Sequence, residues 1–165
     1  MRKKFYTLIL LIILSIATQA NDKLASFTLE DQFKVLHSQN EFLGKKSIVI
    51  LGSTDTVELR KSFIKELEYI EINKIHEVAN IVNIFDMSHV PSLLKFYARG
   101  KFPKEKEKWI LVDWEGLLTK TYNSNLSGLT ILLCDKKGFV LDREFITEIN
   151  QESMKRISNK LKEMP

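Results

Sequence analysis

The chain has 165 residues, with 25 Lys or Arg against 21 Asp or Glu and a formal charge of +4. That length suits one modest domain, and 44% hydrophobic with 28% charged residues is ordinary globular usage, which excludes a disordered chain. One cysteine excludes a disulfide scaffold, a Cys-rich zinc module and an internal dithiol, and three scattered histidines offer no metal-ligand spacing.

The first predicted element is a leader. Arg2, Lys3 and Lys4 precede residues 5–17, of which 11 of 13 are apolar, and Thr18-Gln19-Ala20 follows as a small-residue cleavage pattern. This is the three-part layout of a secretory signal peptide. The apolar run is short for a membrane span, which needs about 20 residues. An uncleaved anchor is the alternative, and Ala17 marks a second possible cut. Residues 1–20 are expected to be removed, leaving 21–165 as a single domain, periplasmic or secreted, with no stable membrane span. Without Arg2, Lys3 and Lys4 the balance falls to 22 basic against 21 acidic side chains, or +1. A nucleic-acid surface needs clustered positive charge, so no nucleic-acid partner is expected. Export implies an oxidising compartment, where a single cysteine cannot pair internally.

Residues 27–29 and 33–36 bracket Glu30-Asp31-Gln32 as an N-terminal hairpin. Residues 47–51 (SIVIL) are short, continuous and β-branched, as a strand buried on both faces should be. After residues 52–55 the period changes: Leu59, Phe63, Leu67 and Ile70 make one helical stripe, and Asp55 with Glu58 fits a capping box. A second strand is expected at 78–85 and a helix after Pro91, whose fixed φ suits a first turn. The run 101–108 (KFPKEKEK) reads as a solvated loop, 108–113 as a third strand and 117–122 as a short helix. Residues 129–135 and 139–142 flank Lys136-Lys137-Gly138, a hairpin signal. Met154, Ile157, Leu161 and Met164 form the stripe of a closing helix. This alternation predicts an α/β fold with a central mixed sheet, helices on both faces and an N-terminal β-hairpin extension.

That order resembles the thioredoxin fold in its redoxin or peroxiredoxin-like extracytoplasmic form. Residues 27–32 (FTLEDQ) look like that group's entry hairpin, 43–46 (LGKK) like its lead-in to the buried strand, and 135–138 (DKKG) like its β-turn. More narrowly, Ile81-Val82-Asn83 before Pro91, then Leu111-Val112-Asp113 with Gly116, then the Asp135 turn, are similar to the order in the YtfJ family of exported thioredoxin-fold proteins. The resemblance implies an active-site C-x-x-C where the first long helix begins. A helix N-terminus there stabilises a thiolate. Aligned on Arg60, those positions hold Thr56 and Leu59. A T-x-x-C alignment from Thr54 puts Val57 in the cysteine position. The family's cis-proline position falls on Leu129, beside Gly128. Sulfur and proline are both replaced, and the YtfJ-like resemblance likewise implies a thioredoxin fold without a C-x-x-C pair.

The degenerate loop therefore comprises Thr54, Asp55, Thr56, Leu59 and Leu129. It is a candidate for binding a small polar ligand or peptide, against plain N-capping worth about 1 kcal/mol. Cys134, within a strand pattern, reads as a buried inert thiol; the sharper alternative is a reactive one, which needs an exposed electropositive setting. His37, His76 and His89 fall in different elements and read as ordinary surface or packing residues, and residues 86–89 as a cap for the next helix. Asp113 and Glu115 sit at a strand end, where α/β folds place ligands, although two acids in a turn are usually solvated. Trp109 reads as core and Trp114 as an exposed contact residue. No dinucleotide, phosphate-loop or zincin motif occurs, so no cofactor or metal is expected.

Three readings follow. The first is a non-catalytic binding module with an envelope protein partner. The second is a one-cysteine thiol oxidoreductase or peroxiredoxin-like protein using Cys134. The third is a structural accessory of the envelope without a ligand.

Overall fold

The computed structural model describes residues 22–70, 79–104 and 110–165. The leader, His76, Val78 and Trp109 lie outside the described residues.

Hairpin strands β1 (Thr28–Asp31) and β2 (Leu36–Ser38) come first. Then follow β3 (Lys46–Ser53), α1 (Val57–Ile70), β4 (Ala79–Asp86), α2 (Lys95–Arg99), β5 (Leu111–Asp113) and α3 (Leu117–Thr121). Strands β6 (Leu129–Cys134) and β7 (Val140–Ile146) and helix α4 (Gln151–Glu163) close the domain. The strands form one sheet in the order β2-β1-β5-β4-β3-β6-β7. Strands β3, β4 and β5 are parallel, while β6, β7 and the hairpin run antiparallel to their neighbours. The expected element order and mixed sheet are thus present.

Strand β3 lies between β4 and β6 and is covered on both faces, so a continuous apolar run suits it. Ile48 and Ile50 pack against Phe63 and Leu67 of α1 and Met154, Ile157 and Leu161 of α4. Val49 and Leu51 point the other way, toward Val82, Leu118 of α3 and Phe27 and Phe42 of the N-terminal segment. Helices therefore cover both faces. No helix among the described residues is long and apolar enough to cross a membrane.

Four boundaries differ from the sequence expectation. Ser53 caps a 3-10 turn, Thr54–Thr56, that leads into α1, its hydroxyl accepting from the Asp55 backbone, so Asp55 lies inside that turn rather than capping it. Pro91 precedes a 3-10 turn, Ser92–Leu94, and the α-helix begins only at Lys95. Strand β5 begins at Leu111. Strand β7 runs on to Ile146 through Asp142-Arg143-Glu144, where Asp142 and Glu144 meet Lys160 and Arg156 of α4. Both hairpin turns are held by a buried or half-buried aspartate. Asp31 Oδ1 accepts from the backbones of Phe33 and Val35, and Asp135 Oδ1 from those of Lys137 and Phe139, with Gly138 at φ +80°.

Candidate functional site

Strands β3, β4 and β5 end in one register row, Ser53 beside Asp86 beside Asp113. This is the C-terminal edge of the parallel strands, where open α/β sheets place their sites. The degenerate loop rises from its first strand. Ser53 Oγ donates to the Leu126 carbonyl at 3.2 Å and accepts from the Asp55 backbone at 3.2 Å. Thr56 Oγ1 donates to the Ser53 carbonyl at 2.8 Å, and Thr56 is only 4% exposed. Its hydroxyl is spent on the turn. Thr54 is half-buried, with Oγ1 3.5 Å from His89 Nε2, and Asp55 is exposed.

Leu59 is half-buried against the α1/α4 side of the core, and Leu129 is fully buried. A Cβ on Gly52 would lie 2.5 Å from Thr56 Oγ1, 2.9 Å from Arg60 Nη2 and 2.9 Å from a Leu129 methyl. The structure therefore brings Thr56 and Leu129 together around Gly52, with side chains filling the space between them. Sequence reasoning used Arg60 only to fix an alignment, yet Arg60 is the chemical centre of this knot. It is 4% exposed, donates to the carbonyls of Ile50 and Ile84 at 3.1 Å each, and stacks 3.9 Å over the Phe85 ring. Among the described residues no carboxylate pairs with it, and its Nε has no partner. Burial lowers its pKa from the ordinary value. The available signal was position: Arg60 stands three residues before Phe63 and seven before Leu67, on the apolar stripe itself.

The two aspartates of the row are structural. Asp113 is 1% exposed; its carboxylate accepts from the Leu118 backbone at 2.9 Å and the Glu115 backbone at 3.3 Å, anchoring the start of α3. The expectation of two solvated acids thus fails for Asp113, because the turn supplies N–H donors that replace water. Asp86 accepts from the Ser88 backbone and hydroxyl at 2.8 and 2.7 Å and from Thr119 Oγ1. Burial pushes its pKa up, but these donors outweigh burial and hold it below the ordinary carboxylate value. Gly116, at φ +63°, leaves room for that carboxylate, since a Cβ would lie 3.0 Å from Asp86 Oδ2.

Cys134 stands at the opposite end of β6 from Leu129, about 17 Å away at the rise of an extended strand. It is 1% exposed, and burial, with Asp135 adding to it, pushes its thiol up to about 12. It borders a 430 Å³ cleft under the N-terminal segment, with Ser47 and Lys137. The structure does not bring Cys134 to the degenerate loop. His37 lies between Asp31 and Glu41, with Nδ1 2.8 Å from Glu41 Oε2. Trp114, expected to be exposed, is half-buried beneath the cations of Lys95 and Arg99. Among the described residues no group of three His, Cys, Asp or Glu could hold a metal ion.

No family model matches the chain, and no curated protein matches it. Solved structures do. The pneumococcal exposed lipoprotein thioredoxin Etrx1 of Streptococcus pneumoniae TIGR4 aligns over 85% of this chain and 100% of its own, at 19% identity and a TM-score of 0.61. StoA from Bacillus subtilis aligns over 81% and 96% at 16% identity and 0.54. Yeast Sco1 with copper bound aligns over 89% and 96% at 18% identity and 0.55. At such identities the likeness concerns the fold: the chain has a thioredoxin-like fold.

Proposed function

We propose that this chain is an exported thioredoxin-fold protein without a redox dithiol, acting as a non-catalytic binding module of the cell envelope in the manner of the YtfJ-like proteins it resembles. The observation that carries the reading is the place of its sulfur. On the alignment that fixes Arg60, Thr56 and Leu59 hold the two cysteine positions that the resemblance implies, on the alternative one Val57 does, and the one thiol of the chain lies at the far end of β6. A threonine hydroxyl has no redox chemistry, and Thr56 already donates to the Ser53 carbonyl. A thiol raised to about 12 holds a negligible thiolate fraction at neutral pH, so it is a poor nucleophile. Export is supported by the leader pattern of residues 1–20 and by a structural relative that is an exposed lipoprotein.

The test is an insulin-reduction and peroxide-consumption assay of the purified chain beside its Cys134→Ser variant. Neither protein is expected to turn over substrate. Turnover lost in Cys134→Ser would replace this reading with the one-cysteine oxidoreductase.

A further inference from the structure

We propose that the apolar face built by the 3-10 turn Ser92–Leu94, helix α2 and the β1–β2 hairpin is a two-fold interface, covered by the same face of a second copy of this chain. The face exists because α2 turns its polar side inward. Lys95 and Arg99 lie over the Trp114 ring at 5.2 and 5.4 Å. Lys95 also reaches Glu115 at 4.0 Å, and Arg99 pairs with Glu30 and donates to the Asp31 carbonyl at 2.5 Å. A helix in water ordinarily buries its apolar stripe and leaves its cations outside. Here the cations meet the protein, while Leu93 (92% exposed), Phe96 (83%) and Tyr97 (65%) meet solvent. The hairpin extends this surface. Leu36 stands opposite Glu30 in the β1–β2 ladder, so it shares a side of the sheet with the carboxylate that holds Arg99. Leu36 is 62% exposed, and Phe33 joins Phe96 and Tyr97 along the cleft between hairpin and α2.

Area and shape name the occupant. A fully exposed side chain of this size presents roughly 150–250 Å², so Phe33, Leu36, Leu93, Leu94, Phe96 and Tyr97 leave on the order of 700 Å² bare on one copy. A stable interface takes about 800 Å² from each partner, apolar centre and polar rim together, so this face supplies the centre of one. It carries a ridge and a slot side by side. Leu93, three residues before Phe96, stands out from the fold, and the cleft beside Phe96 encloses about 570 Å³ between Phe33, Tyr97 and Phe102. A two-fold axis between ridge and slot seats each copy's Leu93 in the other's cleft. A peptide fills the slot and leaves the ridge bare; a bilayer covers the ridge and cannot enter the slot. A second copy brings a ridge for the slot and a slot for the ridge. The attraction is apolar and does not depend on charge at the rim.

The experiment is sedimentation velocity of the purified chain over a concentration series at low and at high salt. A dimer is expected with a dissociation constant on the order of 10 µM or tighter, nearly unchanged by salt. Leu93→Ser and Phe96→Ser are each expected to weaken it by about tenfold or more, with the thermal transition of the dilute protein unchanged. Tyr69→Ser, on α1 and 79% exposed, is expected to leave the dimer as it is. Mild oxidation of mixed Leu93→Cys and Phe33→Cys chains is expected to join unlike copies faster than like ones. A chain that stays monomeric throughout the series overturns the proposal, as does association that survives both serine substitutions or is abolished by salt. Faster joining of like copies overturns the ridge-in-slot arrangement and the proposal with it. A monomer captured by phosphatidylglycerol vesicles through Phe96 overturns it too and gives the face to lipid.

Discussion

Cys134 and Arg60 show how far single residues can be read. The thiol's burial was legible because a cysteine inside an apolar strand pattern has few other places to go. Its raised pKa has a consequence for stability. The unfolded thiol ionises near its ordinary value, about 8.5, while the folded one holds its proton to about 12. Between those values the native state binds more protons, so this group's contribution is intact below about pH 8.5 and fades as pH rises toward 12. Urea unfolding of wild type and Cys134→Ala at pH 7 and pH 10.5 should therefore show the variant's deficit shrinking at the higher pH. Arg60 was not legible in role, because a cation on an apolar stripe has no side-chain rule that sends it beneath a strand end. Its guanidinium bears a desolvation cost without a counter-charge. Arg60→Met, which keeps the bulk, is expected within about 1.5 kcal/mol of wild type, and Arg60→Ala about 2–4 kcal/mol below it. Denaturant midpoints separate the two.

At the scale of elements, the helices α1 and α4 followed their apolar periods, and the strands followed their β-branched runs. What periodicity cannot give is where one element presses on another. Gly52 sits in a strand with its place taken by Thr56, Arg60 and Leu129. Gly52→Ala should cost about 1–3 kcal/mol by overpacking, read as a lower urea midpoint. In the sequence the charged middle of β7 reads as the end of a strand, because its partners are twelve or more residues away. Glu144 meets Arg156 at 2.6 Å and Asp142 meets Lys160 at 2.5 Å. Arg156 reaches Glu144 from an exposed position, so this pair should contribute little: Arg156→Ala is expected to change stability by less than about 1 kcal/mol, against about 2–5 kcal/mol for the buried Ile157→Ala one position on. A fluorescence-monitored unfolding series on the two variants tests the contrast.

Over the whole molecule, the first described residues close the sheet at a distance no sequence pattern announces. Leu24 donates its N–H to the Gly138 carbonyl at 2.8 Å, Val140 to that of Asp22 at 2.9 Å, and Ala25 to Tyr122 Oη at 2.7 Å. Leu24 itself is 8% exposed and packs with Phe27 and Cys134. Chain 22–27 has no period of its own, so its docking depends on edges that exist only after folding. A chain starting at residue 27 is expected to lose about 2–4 kcal/mol, and its Cys134 to react faster with a thiol reagent than in the longer chain.

The packing beneath the first long helix also bears on whether a dithiol could be built there. Two substitutions, Thr56→Cys and Leu59→Cys, would write a C-x-x-C back into the text of the chain. The first sulfur would arrive at a position that is only 4% exposed, beside Gly52, which Leu129 and the carbonyl-bonded Arg60 guanidinium also crowd. A thiol introduced at position 56 would therefore enter filled space, and the side chains packed around Gly52, Leu129 among them, would have to move before a disulfide could reach it.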